Sequence, residues 1–171
     1  ILTIYEKRVN NEDLPFFSKL MLDLSKNSNT LSKDPYLIFN WQQNYFAISI
    51  NYVREVMNYV TPTPLPRYPN LLTGIISLRG EICPVLNIRE LFIEVQKSII
   101  QSKKLIVVQF KGFKIIFDVD ELCGIHNIQE DYDNSSIEES LFNRKFYTDE
   151  FSGLIMDVPD LWEFSLKLIN E

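Results

Sequence analysis

The chain has 171 residues, 46% hydrophobic and 23% charged, with 23 acidic against 17 basic side chains and a formal charge of −6. A single domain of this length buries roughly two-thirds of its unfolded surface, so its core needs neither disulfide nor metal. The acidic balance argues against a phosphate-tracking surface and hence against nucleic acid as a partner. No apolar run approaches the roughly 20 residues of a membrane span.

The N-terminus lacks a basic region followed by an apolar one, which favours a cytoplasmic address over secretion. The chain starts at Ile1 rather than Met, as a piece of a longer protein would. Residues 1–34 are expected to form an extension. Asp13 is placed to cap a helix over 13–25, with Leu14, Phe17, Met21 and Leu24 on one face and Pro15 tolerated in the first turn. Ser25–Asp34 (SKNSNTLSKD) is a polar linker closed by Pro35.

From Tyr36 the apolar period changes to two. Leu37, Phe39 and Trp41 alternate with Ile38 and Asn40, then Phe46, Ile48 and Ile50 with Ala47 and Ser49, with a hairpin turn over Gln42–Asn44. Each strand is expected to present one face to a core. Val53-Arg54-Glu55-Val56 is a short apolar-flanked segment, and four prolines over Thr61–Asn70 make a stiff extended crossover. Gly74–Ile88 resumes strand character around a turn at Arg79-Gly80, with Pro84 placing its run at an edge or a bulge. Leu105–Phe110 and Phe113–Val119 flank the hairpin turn Lys111-Gly112. Beyond that, Glu130–Ser136 is expected as an acidic loop, Ile137–Phe142 as a helical turn, and Leu161–Ile169 as a strand or a terminal helix. The strand spacing predicts an all-β fold of closed architecture.

Catalytic chemistry finds little support. His126 is the one histidine and alternates within a strand, so no cofactor or metal is expected to depend on it, and Cys83 and Cys123 are expected as reduced thiols. Five glycines leave no phosphate-cradling loop and no nucleophile elbow. Asp131 and Asp133 begin a calcium-like spacing that fails at Ser136 and Phe142. Asn134-Ser135-Ser136 is a glycosylation sequon without meaning in a cytoplasmic protein. Asp118 and Asp120 share a face after a strand; a solvated rim accounts for them, and the competing hypothesis is a small-molecule barrel or hydrolase with paired carboxylates. Aromatics at 13% suit either a large core or an interface.

The succession Tyr36-Leu37-Ile38-Phe39, Tyr45-Phe46-Ala47-Ile48, Val53-Arg54-Glu55-Val56 and Gly74-Ile75-Ile76-Ser77-Leu78-Arg79-Gly80-Glu81-Ile82-Cys83-Pro84-Val85-Leu86-Asn87-Ile88-Arg89 resembles the CheW-like domain of bacterial chemotaxis. Gly74, Leu78, Arg79, Gly80, Pro84 and Arg89 match the family's punctuating residues. Val119-Asp120-Glu121-Leu122 and Gly153-Leu154 extend the likeness. Ser77 and Asn87 stand where the family usually has asparagine and aspartate, Val158–Leu168 matches its C-terminal strand poorly, and residues 1–34 have no counterpart.

The resemblance implies a CheW-like domain over 35–171, built as two SH3-like five-stranded β-barrels packed together. It implies a non-enzymatic adaptor that binds a chemoreceptor cytoplasmic signalling tip and the regulatory domain of a CheA-type histidine kinase, recruited to receptor arrays without entering the membrane. Val53, Glu55, Arg79 and Gly80 are the partner-binding candidates it points to, with Glu55 and Arg79 as a pair. Alternative contexts are a module cut from a larger kinase or a receiver-containing coupling protein, or an adaptor in a non-flagellar pathway.

Overall fold

The computed structural model describes residues 32–66, 71–91, 104–132 and 144–169. The expected helix over 13–25 and the turn at Ile137–Phe142 lie outside these residues. Among the described residues the fold is mostly β, with two sheets and one α-helix.

The six-stranded sheet contains β1 (Tyr36–Trp41), β2 (Asn44–Ser49), β8 (Glu121–His126), β9 (Gln129–Tyr132), β10 (Arg144–Tyr147) and β11 (Ser152–Ile155), in the order β8-β1-β2-β11-β10-β9. Its two edge strands, β8 and β9, are separated in the chain only by Asn127 and Ile128. The five-stranded sheet contains β3 (Val53–Asn58), β4 (Leu72–Leu78), β5 (Glu81–Leu86), β6 (Lys104–Phe110) and β7 (Phe113–Val119), in the order β3-β6-β7-β5-β4. Most neighbours are antiparallel; β2 with β11 and β5 with β7 are parallel.

Among its described residues, 61–66, the proline-rich crossover is nearly free of ladder, as its missing donors dictate, but it makes one bridge. Thr63 and Ile75 exchange backbone hydrogen bonds of 2.9 Å each, tying the segment after β3 to β4, the far edge of the same sheet. Gly74 makes this approach possible, because a Cβ there would lie 2.4 Å from the Thr63 carbonyl oxygen. The hairpin turns at Gln42-Gln43, Arg79-Gly80 and Lys111-Gly112 all carry positive φ at both residues, the backbone that matches strand twist.

The alternation along the strands sorts side chains into three cores. Leu37, Phe39 and Trp41 of β1, Ile106 and Val108 of β6, and Ile115, Phe117 and Val119 of β7 meet in a core shared by both sheets. The intervening Tyr36 and Ile38 join Ala47, Ile128, Phe146 and Ile155 in a core of the six-stranded sheet alone. Leu105, Val107 and Ile116 join Cys83 and Val85 in a core of the five-stranded sheet. Strands β1, β6 and β7 are therefore buried on both faces, not on one.

One open alternative is decided and two other expectations are corrected. Val158–Ile169 is a helix, α1, the second of the two readings held for Leu161–Ile169: Asp157 Oδ1 accepts the Asp160 N–H at 3.2 Å as its cap, and Pro159 sits in the first turn. Pro84 lies in β5, an interior strand; its parallel partner β7 is engaged one residue later, at Val85, so the missing N–H breaks no described rung, and the register shift falls on β4 instead. Glu130–Tyr132 belongs to β9, not to a loop.

A charged relay fastens α1 to the six-stranded sheet. The Tyr36 hydroxyl donates to Glu130 Oε1 at 2.9 Å, and Arg144 bridges Glu130 (3.1 Å) and the capping Asp157 (2.9 Å). Burial, then the bond and charge of Glu130, push the Tyr36 hydroxyl up to about 12. The unfolded chain loses this proton near pH 10, so the contribution of Tyr36 is intact below that and erodes as pH rises toward 12. An ultraviolet titration should show a late-titrating tyrosine component that is lost in Tyr36→Phe.

Because the shared core is built from both sheets, urea denaturation followed by tryptophan fluorescence and by circular dichroism should give one coincident transition. Phe117→Ala should lower stability by about 3–5 kcal/mol, as expected for a buried aromatic.

Candidate functional site

Glu55, Arg79 and Gly80 come together at one end of the five-stranded sheet, whereas Val53 packs against the shared core on the sheet's other face. Strand β3 carries a bulge between Val53, opposite Val108, and Glu55, opposite Val107. The extra residue re-aims the rest of the strand, so Glu55 lies on the same face as Met57, which packs on that sheet's own core. The β4–β5 tip reaches the same place. Its backbone has φ of 52° at Arg79 and 85° at Gly80, and Gly80 takes the second positive φ without a side-chain penalty. Arg79 Nη2 then lies 3.3 Å from Glu55 Oε2. The Arg79 side chain is 86% exposed and that of Glu55 35%, so the pair is a surface feature.

Next to it Lys114 of β7 pairs with Glu81 of β5. Arg79, Glu55, Glu81 and Lys114 thus form a rim of alternating charge over the small core. Cys83 lies beneath the rim. Burial, followed by Glu81 and more weakly Glu55, raises its thiol above the usual value against the opposing pull of Lys114. At neutral pH Cys83 is a buried thiol rather than a nucleophile.

The carboxylates considered for catalysis have a different occupation. Arg89, only 2% exposed in its side chain, places Nη2 2.6 Å from Asp118 Oδ2 and Nη1 2.8 Å from Asp120 Oδ1. The second contact is one of charge rather than an aligned hydrogen bond. Asp120 Oδ2 also accepts the Gln42 N–H at 2.8 Å, the Trp41 indole donates to the Asp118 carbonyl at 2.6 Å, and the guanidinium lies 5.9 Å from the Trp41 ring. Asp118 and Asp120 are therefore counter-ions of a structural arginine, neither a solvated rim nor an acid–base pair. His126 places Nε2 3.1 Å from the Cys123 carbonyl and meets Phe151 edge-on at 5.6 Å. Among the described residues no three His, Cys, Asp or Glu side chains gather to hold a metal ion.

The structure also presents an apolar surface absent from the sequence-derived candidates. Phe113 is 60% exposed and stacks on Trp162 of α1, with ring centroids 5.2 Å apart. Leu166, one turn beyond Trp162, is 43% exposed, and Ile82 is 68% exposed. Ile82 and Phe113 lie three residues before Val85 and Ile116, the pair joining β5 to β7, and so flank one another. They share faces with Leu86 and Ile115, which belong to the shared core. The patch is that core continued into solvent. The i, i+4 spacing of Trp162 and Leu166 was the available signal, unusable until α1 was known to be a helix.

Comparison with known proteins places these features in a family context. The family model described as the CheW-like domain matches residues 35–161. The chemotaxis protein CheW of Bacillus subtilis (strain 168) is 24% identical over 94 residues, which are 55% of this chain and 60% of that protein. The chemotaxis protein CheW of Thermotoga maritima is 26% identical over 103 residues, 60% of this chain and 68% of that protein. The match thus spans less than two-thirds of the Bacillus protein's length. Among solved structures, the scaffolding protein TtCheW from Thermoanaerobacter tengcongensis is similar at a TM-score of 0.63 and 23% identity, over 73% of this chain and 89% of that one, a likeness of fold.

The two arginines should behave oppositely on substitution. Arg79→Ala breaks an exposed pair and should cost about 0–1 kcal/mol. Arg89→Ala leaves two carboxylates facing each other with little solvent and should cost about 3–5 kcal/mol, read from chemical denaturation midpoints.

Proposed function

This chain belongs to the CheW-like domain family, and from that premise we propose that it is a non-enzymatic chemotaxis adaptor. In this reading it couples the cytoplasmic signalling tip of a chemoreceptor to the regulatory domain of a CheA-type histidine kinase. The single observation that carries the reading is the pairing of two unlike surfaces on one rigid scaffold. One is the charged rim around Glu55–Arg79, and the other the apolar patch of Ile82, Phe113, Trp162 and Leu166. An enzyme concentrates perturbed polar groups in a cleft. Here the polar groups with the strongest contacts brace the fold, and the exposed groups are the kind that proteins bind.

Finer features belong to the same proposal. Each sheet is read as an SH3-like five-stranded barrel. The Thr63–Ile75 bridge would close one, and β8 with β9, taken as one bent strand, would close the other. The division is an N-terminal extension over 1–34 and a CheW-like domain over 35–171. No described helix is long and apolar enough to cross a membrane; the adaptor is proposed to act in the cytoplasm, gathered at receptor arrays by its partners. Partner contacts are assigned to Val53, Glu55, Arg79 and Gly80.

Co-sedimentation with receptor signalling fragments and kinase tests this. The parent should enter the assembly. Arg79→Ala should stay folded yet bind at least about 30-fold more weakly, since an interface arginine is often worth 2 kcal/mol or more. A folded Arg79→Ala that assembles like the parent removes Arg79 from the site, and a parent that binds neither partner ends the adaptor reading.

A further inference from the structure

We propose that the outer edge of β4 takes an extended segment of a partner protein as an added strand. Strands β3 and β4 are the two edges of the five-stranded sheet, and no ladder joins them. Two joins between these edges are seen among the described residues: the Thr63–Ile75 bridge, on the chain that continues β3, and the exposed Glu55–Arg79 pair. The bridge fixes which backbone groups of β4 face outward. The N–H and the C=O of Ile75 both bond Thr63, so Ile75 and Pro84, its opposite in β5, form a non-hydrogen-bonded pair. In an antiparallel ladder that outward aim recurs at every second residue. The register with β5 is unbroken from Ile75 to Leu78, so the N–H and C=O of the exposed Ser77 are also aimed out of the sheet. None of the backbone hydrogen bonds among the described residues satisfies them.

The side chains point to the same edge. The core of the five-stranded sheet is margined by the partly buried Met57 of β3 and Ile76 and Leu78 of β4. All three belong to the two edge strands, so this core is least covered where the ladder is missing. Free backbone groups select the conformation of the occupant. A helix bonds its own N–H and C=O groups, whereas an extended segment has them available for Ser77 and turns alternate side chains onto Ile76 and Leu78. Thr63 shows the mode, since it is already seated on this edge at the neighbouring rung. The occupant is therefore an extended segment, apolar at alternate positions. The Glu55–Arg79 pair crosses between the same edges, and because an exposed ion pair contributes little, an incoming strand displaces it at small cost. This deepens the adaptor reading by giving the conformation of a segment that the chain binds, and rests on that reading only for the partner's identity.

The probe is a capped heptapeptide alternating threonine and valine, added to the isotope-labelled full chain and followed by amide nuclear magnetic resonance. In the free chain the Ser77 amide should exchange with solvent much faster than the amides of Ile76 and Leu78, which the same alternation turns toward β5. Peptide at roughly millimolar concentration should shift the Ser77 amide saturably and slow its exchange. The fully N-methylated peptide, which has no backbone donors, should bind at least about tenfold more weakly. A Ser77 amide already protected in the free chain overturns the proposal, because the chain then covers its own edge. A peptide that leaves Ser77 unshifted overturns it too, and so does an N-methylated form that binds equally, since the contact is then one of side chains alone. Neither receptor nor kinase is present, so this failure is distinct from that of the adaptor reading.

Discussion

The arrangement turns on one buried cation. The Arg89 guanidinium lies almost out of water at the end of β5, between Asp118 at the end of β7 and Asp120 on the way to β8. A charge in that position is tolerated only when its counter-charges are already in place. The same two acidic residues engage the β1–β2 turn, through the Gln42 N–H and the Trp41 indole. The ion cluster thus fastens three segments: the exit of β5, the passage from one sheet to the other, and the first hairpin.

The apolar packing follows the same economy. Strands buried on both faces let a chain of this size maintain three cores, one within each sheet and one between them. The shared core ties the sheets together, and where it runs out, at Phe113 and Ile82, it leaves apolar side chains in water. The Glu55–Arg79 rim lies on the other face of the same strands, over the small core of the five-stranded sheet. The two surfaces are held at a fixed spacing because the strands between them are packed on both sides.

Much of this was legible in the residues. Period-two patterning marked β1 and β2, apolar runs flanking Lys111-Gly112 marked β6 and β7, and Arg79-Gly80 marked the turn between β4 and β5, because these features are local. The pairing of Glu55 with Arg79 came from likeness to a family and is met at 3.3 Å. The role of Arg89 escaped, although it is one of the family's punctuating residues, because its partners are 29 residues and more away and acidic residues after a strand usually face water. Pro84 misled for a related reason: a missing donor excludes a ladder rung, not an interior strand whose second neighbour joins one residue later. The C-terminal segment was ambiguous because Leu161, Trp162 and Phe164 suit a strand as well as a helix, and only the Asp157 cap and the packing of Val158 and Leu161 on the shared core decide it.

The sheets also differ in how they use the chain. The five-stranded sheet is drawn from the continuous run Val53–Val119, whereas the six-stranded sheet takes β1 and β2 from before that run and β8 to β11 from after it. One sheet is thus nested inside the other in sequence. During synthesis β3 to β7 can pair as they leave the ribosome, while the β1–β2 hairpin waits for a parallel partner roughly one hundred residues later, where Tyr45 meets Gly153. Until β11 arrives, Phe46 and Ile48 belong to an unfinished sheet with an open edge, the kind of nascent species that chaperones shield from aggregation.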